Sequence, residues 1–334
     1  MKYKRREFIR ATSLTSVGLA MSGILKPLSA QTSIPKGKRV GIIGLDTSHS
    51  TAFTKTLNTT TSDEYSGYKV VAAYPYGSKD IKSSYERIPG YIEEVKKYGV
   101  EIVESIKELI SKVDVVLLET NDGRLHLEQA LPVLKAGKRM FIDKPIAASL
   151  SDAKKIFEVS EKYKTPLFSA SSLRYIEGIS ELSAGKTGKV IGADTYSPAM
   201  IELTHPDLFW YGIHGVEMLF AIMGTGCKSV TRAYTESTDI VTGIWADGRI
   251  GTFRGIREGK KDFGGTVHTE KSVIKLGKFS GYNPLLKDII RFFETGETPV
   301  KSEETLEIFA FMHAADESKK KGGVPIDMVG LLKK

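Results

Sequence analysis

From Lys38 the chain reads Arg39-Val40-Gly41-Ile42-Ile43-Gly44, a short apolar run closed by glycine, which predicts a buried strand ending in a turn. Residues 51–58 predict a helix, and Tyr68 to Ala73 a second apolar strand. Helical periodicity returns over 91–98 and 105–112, and Val113 to Glu119 reads as a buried strand. Residues 124–136 predict a helix stopped at Gly137, followed by a strand from Arg139 to Ile142. Strands and helices alternating at these lengths predict a parallel, doubly wound sheet. No internal repeat or low-complexity tract interrupts it.

Beyond residue 188 the pattern changes. Lys189 to Tyr196, Ser229 to Thr235, Asp239 to Trp245, Gly251 to Ile256 and Ser272 to Leu276 are strand-like, and Asp247-Gly248 is a hairpin signal. Over residues 211–223 a helix carries Val216, Leu219, Phe220 and Met223 as one apolar stripe, with His214, Glu217 and Met218 on its other side. The expected division is therefore a signal segment over 1–30, a first domain over 36–148 and a second over 149–334. The final helices are free to pack back on the first domain.

A chain of 334 residues suits about two domains, and 41% apolar with 26% charged residues excludes wholesale disorder. The formal charge of +8 would suggest a nucleic-acid partner. Residues 1–30, however, hold Lys2, Lys4, Arg5, Arg6, Arg10 and Lys26 against Glu7 alone. What remains is nearly balanced, so no nucleic-acid partner is expected. Cys227, the single cysteine, excludes an internal disulfide framework and has no activating base beside it.

The basic N-terminus is an address. Arg5-Arg6-Glu7-Phe8-Ile9-Arg10 is a twin-arginine pattern, followed by a diluted apolar stretch from Leu14 to Leu25 and a small-residue cleavage signal, Leu28-Ser29-Ala30. The stretch falls short of the roughly 20 apolar residues of a bilayer span, so no integral membrane domain beyond this segment is expected. Export of folded protein to the periplasm is predicted, with a membrane tether if the signal stays uncleaved.

A dinucleotide site wants G-x-G-x-x-G after the first strand, so that backbone can approach the pyrophosphate. This chain has Gly44-Leu45-Asp46-Thr47-Ser48-His49. A carboxylate at Asp46 about 4 Å from a phosphate would be repelled by roughly 4 kcal/mol at an effective dielectric near 20. Ala73-Tyr74-Pro75 offers no acid for a ribose hydroxyl, and Ser78-Lys79 only weakly favour a 2′-phosphate. Gly44, Thr47 and Ser48, at the start of the following helix, are what remains to receive a pyrophosphate. Taken alone, the motif is equally compatible with a kept or a lost cofactor.

Glu119-Thr120-Asn121-Asp122-Gly123-Arg124-Leu125-His126, then Ala136-Gly137-Lys138 and Asp143-Lys144-Pro145, resemble the glucose–fructose oxidoreductase/inositol dehydrogenase (Gfo/Idh/MocA) family, with its T-P-N-x-x-H, A-G-K and E-K-P segments. The likeness continues through Ser151-Asp152-Ala153, Arg174-Tyr175 and the closing pattern from Phe292 to Ser318. It implies an N-terminal Rossmann domain and a C-terminal α/β domain with a mostly antiparallel sheet, through which the family often oligomerises. It also implies that Lys144 sits near the nicotinamide and the reacting carbon, and that His214 is the acid/base, each suited to proton transfer. The family's aspartate four residues before that histidine is Trp210 here.

By the same resemblance Gly44, Thr47, Ser48, Thr120, Asn121, His126 and Lys144 would bind cofactor. Arg174, His205, Trp210, Tyr211 and His214 would contact substrate. Glu202, His205, Asp207, His214 and Glu217 crowd into sixteen positions but match no metal spacing, so no metal centre is expected. His49 and His268 show no partner in sequence, and His313 falls in the apolar pattern of a late helix. The expected function is a periplasmic, homo-oligomeric carbohydrate oxidoreductase holding NAD or NADP tightly, because the periplasm offers no pool of it. The rival is a non-redox sugar-binding protein or enzyme that kept the fold and lost the dinucleotide. The stretch Gly44 to His49 discriminates the two.

Overall fold

The computed structural model describes residues 36–183 and 187–333, so the twin-arginine segment lies outside the described residues. The first sheet contains β1 (Arg39–Ile43), β2 (Lys69–Tyr74), β3 (Glu101–Ile102), β4 (Val115–Leu118), β5 (Met140–Ile142) and β6 (Leu167–Ser169). Their order is β3-β2-β1-β4-β5-β6, and every pairing is parallel. Helices cover both faces, which is why β4 is apolar and buried at all four positions. The sixth strand comes from beyond residue 148. Strand order reverses between β1 and β4, leaving a crevice at their carboxyl ends where ligands of such sheets bind.

The helices fall where the periodicity puts them, at Ser48–Thr59, Ile88–Lys96, Ile106–Lys112 and His126–Lys135. Ser105 and Ser149 cap Ile106–Lys112 and Leu150–Tyr163, each side chain accepting a first-turn amide.

The second sheet is built from β7 (Val190–Pro198), β8 (Cys227–Tyr234), β9 (Thr238–Trp245), β10 (Ile250–Ile256), β11 (Gly264–Thr269), β12 (Val273–Lys275) and β13 (Ile326–Asp327). Its order is β12-β11-β7-β10-β9-β8-β13, antiparallel except where β7 meets β10. Asp247-Gly248 turns β9 into β10, with Gly248 at φ +86.

Helix Ile213–Met223 lies against β7 and β10 and also meets helix Ser302–Lys320. The side opposite the apolar stripe, with His214, Glu217 and Met218, is not exposed either. All three are buried, because the helix is covered on every side. Helix Asn283–Thr295 returns to the first sheet. Its Leu285, Leu286, Ile289, Ile290, Phe292 and Phe293 share one core with Val40, Ile42, Val70, Phe141 and Phe168.

Candidate active site

A cavity of about 300 Å³ opens at the carboxyl ends of β1, β4 and β5. Thr47, Ser48 and His49 reach it from the turn after β1, Asn121 from the turn after β4, and Asp143 and Lys144 from the end of β5. Trp210, Tyr211 and His214 close it from the second domain, with Phe263, Phe279 and Tyr282 as further walls. The Nζ of Lys144 stands 5.8 Å from the centre of the Tyr211 ring. His214 is held by Ser171, whose Oγ is 2.7 Å from Nδ1, and by edge-on contacts with Tyr211 and Phe263. Burial, then the charge of Lys144, hold the imidazole well below its ordinary value, which favours its neutral form. Lys144 and His214, expected to work together, share one chamber.

The turn after β1 takes an unexpected form. Gly44 sits at φ +88, where an added Cβ would lie 2.5 Å from the Thr120 amide. Its own N–H donates to Tyr74 O and that of Leu45 to Pro75 O, at 2.8 and 3.0 Å. Asp46, expected to face a phosphate, is instead fully buried. Its carboxylate accepts the Asn121 amide at 3.0 Å and the Ser84 hydroxyl, and it fills the space where a side chain on Gly77 would stand. Burial pushes this carboxyl up to about 6, against the lowering by Ser84.

Asp46 therefore ties the loops after β1, β2 and β4 together across the crevice. Beyond it a second depression, lined by Tyr74, Tyr76, Ser78, Lys79, Asp122 and Arg124, shares no lining residue with the cavity. Neither lining includes Asp46 or Ser84, which lie buried between the loops. One anionic group does suit the near side, because helix Ser48–Thr59 starts with no acidic residue in its first turn and Arg87 lines the cavity.

Other expected site residues lie elsewhere. The Thr120 hydroxyl donates to Gln129 at 2.7 Å, and Gly44 lies beneath Thr120. His126 is fully buried and bonds the carbonyls of Thr120 and Ile146 at 2.7 and 3.1 Å, so it braces the end of β4 and lines no cavity. The guanidinium of Arg174 is held by Glu217 at 3.0 Å and by Glu304, and it does not line the cavity that holds Lys144 and His214. His205 packs on Trp210 at 4.9 Å with its Nε2 buried 3.5 Å from Asp122, behind the cavity wall rather than in it.

One group of residues went unrecognised in the sequence. His49 Nδ1 lies 3.1 Å from Asp143 Oδ1 and 3.6 Å from Glu119 Oε2. All three residues are buried. Neither Glu119 oxygen nor His49 Nδ1 has a hydrogen-bond partner with proper alignment. Burial and the neighbouring Asp143 push Glu119 up to about 7. The His49 ring is raised, since the two carboxylates outweigh the opposing effect of burial. These residues come from the place of the third glycine in the failed motif and from the ends of β4 and β5, so only the fold brings them together.

Residues 38–171 match the model of an oxidoreductase family with an NAD-binding Rossmann fold, GFO_IDH_MocA. No curated protein matches the chain. Among solved structures, myo-inositol 2-dehydrogenase from Lactobacillus plantarum is similar at a TM-score of 0.71 and 16% identity, over 86% of this chain and 98% of that one. A scyllo-inositol dehydrogenase from Lactobacillus casei, solved with NAD(H) and scyllo-inositol, gives 0.70 and 14%, over 87% and 99%. An oxidoreductase from Agrobacterium radiobacter, solved with NAD+, L-tartaric acid and magnesium, gives 0.71 and 15%, over 88% and 99%.

Proposed function

We propose that this chain, whose residues 38–171 match the Gfo/Idh/MocA oxidoreductase family model, is a periplasmic oxidoreductase acting on a hydroxyl or keto carbon of a carbohydrate or polyol. The observation that carries this reading is the meeting of Lys144 and His214 in one polar, aromatic-walled cavity at the strand ends. Trp210 and Tyr211 suit the apolar face of a sugar ring, and Ser48 and Asn121 suit its hydroxyls. The neutral imidazole of His214 takes the hydroxyl proton, and the ammonium of Lys144 stabilises the oxygen on which negative charge develops.

For the NAD or NADP that the family implies, Thr47, Ser48, Asn121 and Lys144 are the cavity residues that would hold it. At about 300 Å³ the cavity suits one sugar-sized ligand, at the lower end of the range for small-molecule sites. Asp46, tied to Ser84 and Asn121, stands where a dinucleotide-binding turn carries glycine, which argues against a tightly held resident cofactor. The Asp46 bridge also favours a second reading, in which Lys144 and His214 move a proton at a carbon beside a carbonyl without redox change. Export rests on Arg5-Arg6 and the stretch from Leu14 to Leu25. Ile244 and Ile250, paired and about half exposed on the open face of the second sheet, support homo-oligomer formation there.

Calorimetry with NAD+ and NADP+ on the wild type and Asp46→Gly, followed by a sugar and polyol panel, tests the proposal. Cofactor binding, strengthened in the variant, and sugar-dependent cofactor reduction are expected. His214→Ala should lower that turnover by about 10²–10⁴-fold. Absence of cofactor binding at millimolar concentration, with solvent deuterium entering a bound sugar, would replace oxidoreduction by the second reading.

A further inference from the structure

We propose that His49, Glu119 and Asp143 form a binding site for one divalent transition-metal ion of the zinc or manganese kind, with an open coordination position turned to the cavity. The first argument is distance. One donor atom from each residue lies within 4.8 Å of the others, and the two separations from His49 Nδ1 are 3.1 and 3.6 Å. Donors about 2.0–2.1 Å from a tetrahedral zinc stand about 3.3 Å apart, between those two values.

The second argument is polar bookkeeping in the interior. Glu119 is fully buried, yet both its oxygens lack a donor, and His49 Nδ1 lacks an aligned partner as well. Buried carboxylate oxygens and a ring nitrogen left unsatisfied are costly, so a partner that completes them is the economical explanation. A divalent cation supplies it and balances two carboxylates with the histidine neutral.

The third argument is support and access. The His49 ring is stacked on Phe53 at 5.2 Å and met edge-on by Tyr282 at 4.4 Å. Asp143 Oδ1 accepts the Lys144 amide at 2.8 Å, so two of the ligands are oriented before any ion arrives. His49 and Asp143 also line the cavity, which leaves the ion's remaining coordination open to a substrate, as in catalytic rather than structural sites. One nitrogen and two carboxylates suit zinc or manganese better than copper(I). The ligand such an ion would take from solution is a pair of neighbouring sugar oxygens, hydroxyl or carbonyl, which it would polarise beside Lys144. The site stands on this cluster alone and is independent of any hydride acceptor.

The test uses untagged protein stripped with chelator and titrated with Zn2+ and Mn2+ by calorimetry, and with Co2+ by visible absorption. One ion per chain, and cobalt bands of a low-symmetry site, are expected. Glu119→Gln and His49→Ala should each weaken binding by at least tenfold while circular dichroism stays unchanged. If a variant fails to fold, the wild type still decides, through its metal content and the rise of its melting temperature with added Zn2+. No uptake of any of the three ions at 100 micromolar, or variants that bind like the wild type, would overturn the proposal and leave the cluster a buried ion pair.

Discussion

Arg174 has its guanidinium committed on both sides, to Glu217 and to Glu304, so its removal strands two carboxylates in a largely buried place. Arg174→Met is expected to lower stability by about 3–5 kcal/mol, the range for breaking a buried ion pair, seen as a shift of the denaturation midpoint. A residue that only contacted substrate would change KM and leave that midpoint alone. Glu217 adds a pH signature. Burial raises its carboxyl to about 7, although Arg174 pulls it down. Folding thus takes up a proton, a contribution complete below the unfolded value near 4.5 and lost as pH rises towards 7. Measured against pH 4.5, the stability advantage of wild type over Glu217→Gln should shrink across that window, as read from paired melting curves. At this scale the sequence was informative where a residue acts with near neighbours or a family motif, as for Lys144, Asn121 and His214. It was silent where partners are distant: Glu119 and Asp143 stand in quoted motifs, but nothing there links either to His49, far away along the chain.

Among the elements, the contrast between two helical glycines shows what packing demands. Gly215, in helix Ile213–Met223, has no room for a methyl group, since a Cβ would stand 2.2 Å from the buried ring of Phe253 on β10. Alanine gains about 1 kcal/mol in helix propensity, but overpacking a filled core costs about 1–3 kcal/mol, so Gly215→Ala should be destabilising. Gly90, in helix Ile88–Lys96, faces open space, and Gly90→Ala should stabilise by about 0.5–1 kcal/mol. Melting both variants beside the wild type checks the signs. The strands show a similar split between pattern and context. β1, β2 and β4 are legible because each carries an uninterrupted run without charged residues, Val40 to Ile43, Val70 to Tyr74 and Val115 to Leu118. β11 opens with Gly264-Gly265 and has no apolar run, and it is a strand because β7 and β12 pair with it on either side. Helix Ile213–Met223 has a legible stripe, yet its other face is buried as well, which no periodicity announces.

For the whole molecule, the expected address is testable without knowing the substrate. Arg5→Lys with Arg6→Lys should leave folded protein in the cytoplasm, scored by fractionation. Undiminished export would remove the twin-arginine assignment and the periplasmic setting with it. The two-domain order, parallel sheet first and mostly antiparallel sheet second, was legible because the spacing of apolar runs changes near residue 188. The closed crevice was not, because it depends on Asp46 turning inward to Ser84 and Asn121 rather than outward.

The return of helix Asn283–Thr295 to the first sheet bears on how the chain is made. Phe292 packs against Phe168, Phe293 against Tyr68, and Arg139 reaches the carbonyls of Phe293 and Glu294. On the ribosome, residues 36–171 are complete long before the segment that finishes their core has been synthesised. Until then, the apolar face that Leu286, Ile289 and Phe292 will cover stands open to water. A fragment ending at residue 171 should therefore be insoluble or loosely packed, with lost near-ultraviolet dichroism, and adding residues 283–295 through a linker should restore it. If the chain is exported folded, as its Arg5-Arg6 signal predicts, the transporter must wait until residues 283–295 have been made and docked.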